Sequence, residues 1–140
     1  MDGGLQSNRS GATAVIDGAS GYLSIDLGAL ARNYEKLAAE VAPARAAAVV
    51  KADAYGLGAG EVAAKLYAHG CRHFFVAQFV EARRLRPLLA ADATVFVLNG
   101  LQPGNESACA RENIVPVVNS LEQWHAWSGT AKAFGRTLPA

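Results

Sequence analysis

Residues 46–58 run Ala46-Ala47-Ala48-Val49-Val50-Lys51-Ala52-Asp53-Ala54-Tyr55-Gly56-Leu57-Gly58, and the fold turns on how this stretch is taken. From Ala46 to Val50 both parities are apolar. A strand apolar on both faces belongs in a parallel sheet covered by helices. The run stops at a lysine and passes into a loop punctuated by Gly56, Gly58 and Gly60. A polar residue closing such a strand stands at the carboxyl mouth of the sheet, where α/β proteins gather functional groups. By strand alternation Ala47, Val49 and Lys51 share one face, and Ala48 and Val50 the other. If the first set faces a barrel interior, the amine lies among apolar neighbours, which favours its neutral, nucleophilic form. On position alone, a lysine snorkelling from a strand end to solvent is the commoner arrangement.

Working outward, Tyr22-Leu23-Ser24-Ile25 alternates apolar and polar residues and predicts a short opening strand. Asp26 then caps a helix with apolar positions at Leu30, Tyr34, Leu37 and Val41, closed by Pro43. Beyond the loop a helix is expected from Glu61 to about His69, with Gly70 at its end. The unit recurs. Phe74–Ala77 is a second strand, followed by a helix through Glu81, Leu85 and Leu88; Thr94–Leu98 is a third, followed by a helix around Ser107 to Glu112. Ile114–Val118 is a fourth strand, although Pro116 cannot donate to a ladder. Ser120 to Gln123 has capping-box spacing, and the helix it opens sets Leu121, Trp124, Ala131 and Phe134 on one face. Four strand–helix units define an α/β protein, and a complete (β/α)8 barrel takes about 250 residues. Periodicity alone leaves two architectures, a complete small doubly wound sheet or the first half of a barrel.

Composition narrows the function classes. The chain has 140 residues, 51% hydrophobic, with formal net charge +1, so it can bury a core and lacks the basic excess of a nucleic-acid binder. Arg83, Arg84 and Arg86 form the only basic cluster and suit a solvated helix face. Cys71 and Cys109 have neither C-x-x-C spacing nor a metal quartet, so no metal site is expected and a reduced, cytoplasmic setting is. No apolar run reaches the roughly 18–20 residues of a membrane span. Residues 1–21, rich in Gly, Ser and small polar residues, are expected to be a flexible leader, with the domain proper over 22–140.

The lysine loop carries the chemistry. Its glycines free backbone N–H groups to approach an anion, and a helix start follows at once. Tyr55 offers a phenol O–H to a phosphate oxygen. A phosphorylated aldehyde needs an amine and a phosphate cradle, and one strand–loop unit supplies candidates for both, although a flexible turn also accounts for the glycines. A dinucleotide fingerprint would need glycine where Glu61 stands, even though Glu81 lies at a tolerable distance for a ribose contact. A P-loop is excluded, because no Gly-Lys-Ser/Thr is present.

Val49-Val50-Lys51-Ala52-Asp53-Ala54-Tyr55-Gly56-x-Gly58-Ala59 resembles the cofactor-lysine signature of the alanine racemases. Ser24–Leu30 with Asn33 resembles that family's opening strand and helix, Phe75–Ala77 with Val80–Ala82 its second barrel unit, and Val97–Gly100 its third. Leu57 stands where many members carry histidine, and Asp53 where asparagine is frequent; neither change touches the lysine or the tyrosine.

The resemblance implies the first half of a PLP-binding TIM (β/α)8 barrel, with the other half and a second β domain outside these residues. It implies pyridoxal 5'-phosphate as cofactor, carried by Lys51 in a Schiff base, and Lys51 as the base serving the D-isomer. Tyr55 then contacts the cofactor phosphate and Leu98 packs near the cofactor. The activity implied is interconversion of L-alanine and D-alanine, supplying D-alanine for peptidoglycan, in a cytoplasmic homodimer without nucleic-acid or membrane partners. The opposite base is a tyrosine of the partner subunit, so the chain alone is expected to be inactive. A broad-specificity amino-acid racemase stays open, as does a non-catalytic PLP-binding barrel protein, although the Lys-Ala-Asp-Ala-Tyr-Gly stretch argues against the latter and against decarboxylases of the same fold. A small complete α/β domain binding a phosphate-bearing partner is the remaining alternative.

Overall fold

The computed structural model describes residue 18 and residues 20–140. The expected leader over 1–21 thus falls largely outside the described residues. Helix α1 (Leu27–Glu40) begins at Asp26, whose carboxylate accepts the Ala29 N–H at 2.9 Å. Its buried contact is Ala31, with Leu30 and Tyr34 packed beside the core. Leu37 and Val41 are exposed, so the expected apolar stripe covers only the first turns of the helix. The expected opening strand is absent. Residues 21–26 form no ladder, and Tyr22 and Leu23 are 68% and 78% exposed. Alternation supplies a face for a strand but no partner, and a strand needs a partner to satisfy its N–H and C=O groups.

Four parallel strands follow in the order β1-β2-β3-β4: Ala48–Val49, His73–Val76, Thr94–Val97 and Ile114–Pro116. Between them run α2 (Lys51–Gly56), α3 (Ala59–Ala68), α4 (Phe79–Leu85) and α5 (Glu106–Arg111), and α6 (Leu121–Phe134) closes the chain. The four expected units are therefore all present. Pro116 lacks an N–H, but the ladder resumes beyond it, where the Val117 N–H donates to the Val97 carbonyl at 2.9 Å. Helix α4 stops at Leu85, three residues short of expectation, and a 3-10 turn takes Arg86–Leu88. Pro87 cannot donate an i→i−4 bond, which explains the stop.

The two faces of the sheet differ. Val50, Phe74, Val76, Val95, Val97, Ile114 and Pro116 are buried. Side chains of this size each stabilise the fold by about 1.5–3 kcal/mol when withdrawn from water. The register sets Val49, Phe75, Phe96 and Val115 level across the opposite face. There the Phe75 and Phe96 rings stack at 4.6 Å, and Val49 is 45% exposed. On α6 the buried residue is Trp127, whose indole N–H donates to the Pro139 carbonyl at 3.1 Å. Leu121 and Trp124 face outward, whereas Ala131 is half-buried and Phe134 packs against the core, so the expected face holds only over the second half of that helix. Ser120 caps it as expected, accepting the Gln123 N–H, but the Gln123 side chain reaches back one residue further, to the Asn119 N–H.

Candidate active site

Lys51 lies half-buried at the carboxyl end of β1. The four residues after it, Ala52 to Tyr55, have φ between 51° and 57° and ψ between 35° and 47°. They form one turn of left-handed helix, where sequence analysis expects a loop. L-residues pay roughly 1–2 kcal/mol each for this conformation, so surrounding bonds must hold it. The Ala54 N–H donates to the Val50 carbonyl at 2.9 Å, and the Ala54 side chain is buried. The Ala52 N–H donates to Glu81 Oε1 at 2.7 Å. Asp53 Oδ1 accepts the Ala59 N–H at 2.7 Å and so caps α3, which starts two residues ahead of expectation. Asparagine offers the same acceptor, which explains why either residue suits this position. Gly58, at φ +92°, lets the chain leave the turn and enter α3.

The left-handed turn follows Lys51 directly and ends at Tyr55. Tyr55 is 65% exposed. Continuing the strand register sets Lys51 level with Ala77, Leu98 and Val117, a continuation carried by the bonds from the Val50, Leu98 and Val117 N–H groups. Leu98, the residue after β3, is half-buried. Its carbonyl accepts the Asn119 side-chain amide at 2.8 Å, and that amide also reaches the Val117 carbonyl at 3.0 Å. Lys51 and Leu98 therefore lie level at the carboxyl end of the sheet. A groove of about 540 Å³ on the helical side is lined by Val50, Asp53, Ala59, Glu81, Arg84 and Leu88 among others, but by neither Lys51 nor Tyr55.

The other tyrosines lie elsewhere. Tyr34 donates to the Ala46 carbonyl ahead of β1, and Tyr67 to Asp92 ahead of β3, both at the amino ends of the strands. Tyr22 precedes α1. No group of three or more His, Cys, Asp or Glu suited to a metal occurs among the described residues. Sequence reasoning missed Glu81, Asn119 and Gln123 as organisers of the mouth. Glu81 had a usable signal, since it stands three residues after Gln78 in capping-box spacing. Both its oxygens are committed to backbone N–H groups, which removes the ribose reading.

Four parallel strands, an open apolar face and a lysine at its carboxyl end make half of a (β/α)8 barrel with a lysine site. The chain belongs to the alanine racemase family: residues 25–140 match the family described as alanine racemase, N-terminal domain. It is 64% identical over 140 residues to a catabolic alanine racemase of Rhizobium johnstonii, covering all of this chain and 37% of that protein. To an alanine racemase of Brucella ovis it is 60% identical over 122 residues, 87% of this chain and 31% of that one. The crystal structure of alanine racemase from Bartonella henselae with covalently bound pyridoxal phosphate matches with TM-score 0.78 and 41% identity, covering 80% of this chain and 31% of that chain. The chain thus spans about a third of the length of the curated relatives it matches.

Proposed function

We propose that this chain is the lysine-bearing part of an alanine racemase that interconverts L-alanine and D-alanine with pyridoxal 5'-phosphate. One observation carries the reading: Lys51 stands at the carboxyl end of the sheet, two residues past β1, and a left-handed turn ending at Tyr55 follows it at once. The donor set fits an aldehyde that carries a phosphate. It comprises a primary amine, a largely exposed phenol, and an apolar floor of Val49, Phe75 and Phe96.

Lys51 would hold the cofactor's aldehyde carbon through its amine, Tyr55 would donate to a phosphate oxygen, and Leu98 would pack beside the ring. Pyridoxal phosphate, when bound, supplies an electron sink for the pair left at the substrate's α-carbon. Once the substrate's amine has taken its place, the freed Lys51 amine would take or give the α-proton on the face that handles the D-isomer. The opposite face needs a second base. Tyr34 and Tyr67 are held at the far end of the strands and do not supply it; the resemblance to the alanine racemases implies a tyrosine of a partner subunit in that role, in a homodimer. Residues 22–140 are the barrel half, preceded by a leader over 1–21, in a cytoplasmic enzyme whose D-alanine supplies peptidoglycan. No described helix is long and apolar enough to cross a membrane.

Borohydride reduction of the chain with pyridoxal phosphate, followed by peptide mass mapping, tests the reading. A pyridoxyl group on Lys51 alone is expected. Label spread evenly over Lys36, Lys51, Lys65 and Lys132 would withdraw it.

A further inference from the structure

We infer that Glu81 is a positioning residue of the lysine site, its carboxylate pinning the backbone immediately after Lys51 to the start of α4. The inference rests on the reading of Lys51 given above. Glu81 Oε1 accepts the Ala52 N–H at 2.7 Å, and Oε2 accepts the N–H groups of Ala77 at 2.9 Å and Gln78 at 2.7 Å. The last two bonds are ordinary helix-start capping, in which a glutamate satisfies donors of its own segment. The first is different in kind. It crosses 29 residues of sequence and joins the first strand–helix unit to the second at the residue after the lysine.

What that bond holds is the left-handed turn. Ala52 is its first residue and carries φ 51° without the freedom of glycine. No other described bond to a side chain restrains the backbone between Lys51 and Asp53. With Ala52 fixed to α4, the direction in which the chain leaves Lys51 is set by the second unit rather than by the loop itself. The Lys51 amine is thereby presented from a backbone that cannot relax to the right-handed conformation its residues favour.

A carboxylate only accepts hydrogen bonds, whereas the glutamine amide carries two donors at one end. In Glu81→Gln the single oxygen serves best between the Ala77 and Gln78 N–H groups, and the NH2 end then meets the Ala52 N–H. The variant keeps the helix cap and releases the turn. Glu81→Asp, one methylene shorter, keeps a charged cap but falls short of Ala52, and serves as the second variant should the first fold poorly.

The experiment combines amide exchange by NMR with reductive labelling of the full chain by pyridoxal phosphate and borohydride. In the unsubstituted chain the Ala52 amide is expected to be protected. In Glu81→Gln it exchanges about tenfold faster, the change expected for loss of one hydrogen bond to a charged acceptor. Core amides such as Phe74 and Val95 keep their rates. Label at Lys51 falls by a similar factor relative to Lys36, Lys65 and Lys132, which are internal controls that a merely structural role would not separate from Lys51. An unprotected Ala52 amide in the unsubstituted chain, or one indifferent to both substitutions, overturns the inference. So does a loosened Ala52 with Lys51 labelling unchanged. Indiscriminate labelling of the unsubstituted chain sinks the reading of Lys51 instead, and the exchange rate at Ala52 still decides whether Glu81 holds the turn.

Discussion

Gly100 turns the chain after β3 at φ +67°, and a Cβ built there would stand 2.2 Å from Gln123 Oε1. Gln123 is not free to withdraw: its amide donates toward the Asn99 and Leu101 carbonyls, and its oxygen accepts the Asn119 N–H. Gly100→Ala is therefore expected to cost roughly 1–3 kcal/mol in urea unfolding, through backbone strain and loss of these bonds. The loop affected is the one that follows Leu98, so the mouth loosens along with the fold. Cys109 makes a second prediction at this scale. Its sulfur is buried and donates to the Ile114 carbonyl at 3.1 Å. Burial, then the charges of Glu112 and Glu106, push the thiol up to about 12 from an ordinary 9.0. An acid whose proton is held more tightly in the fold loses stability as the unfolded chain ionises first. The Cys109 contribution is thus full below the unfolded value and declines as pH rises from 9.0 to about 12. Urea midpoints of the chain should fall across that window more steeply than those of Cys109→Ala. Parallel slopes would refute the assignment.

Asp53 joins two elements, since it lies inside the left-handed turn and caps α3 through the Ala59 N–H. Asp53→Ala should cost about 1 kcal/mol and Asp53→Asn much less, because both natural caps supply an oxygen acceptor. Thermal unfolding of the two variants checks this, and equal losses would mean that the charge rather than the acceptor matters. How much of these elements was legible follows from what each depends on. The four strands and their parallel pairing were legible because apolar runs ending at turn residues depend on local composition. Asp26 and Ser120 were legible as caps for the same reason. The left-handed turn was not, because four consecutive residues at positive φ oppose every local preference and stand through bonds from Val50, Glu81 and Ala59. Tyr22–Ile25 failed in the opposite way: its alternation is a sound strand pattern with no described strand beside it. The α6 face held at Ala131 and Phe134 but not at Leu121 and Trp124, because the helix settles on Trp127, which the Pro139 carbonyl and the core hold. Lys51 and Leu98 were legible as residues at strand ends, whereas Glu81 acts across sequence.

Over the whole molecule the asymmetry of the sheet decides how the 140-residue chain behaves in solution. Helices cover one face, while Val49, Phe75 and Phe96 lie partly accessible on the other, with Val115 buried at its β4 end. Among the described residues β1 and β4 each pair on one side only. An uncovered apolar face with strand edges beside it promotes association. Sedimentation velocity on the chain alone should show an average mass that rises with concentration. Adjacent residues of β3 then separate the cause from general instability. Phe96 is half-buried on the open face, and Phe96→Lys places a charge at its centre, where the ammonium reaches water. Association should fall while helical circular dichroism persists. Val95 is fully buried beneath the helices. Val95→Lys strands a charge in the core and should unfold the chain, since burying an uncompensated ammonium costs several kcal/mol. Opposite responses at neighbouring positions can arise only if the period-two alternation divides a covered face from an open one. If the unsubstituted chain sediments as a monomer at every concentration, or if both lysine variants unfold it, the two faces are equally covered and the half-barrel description of this chain fails with them.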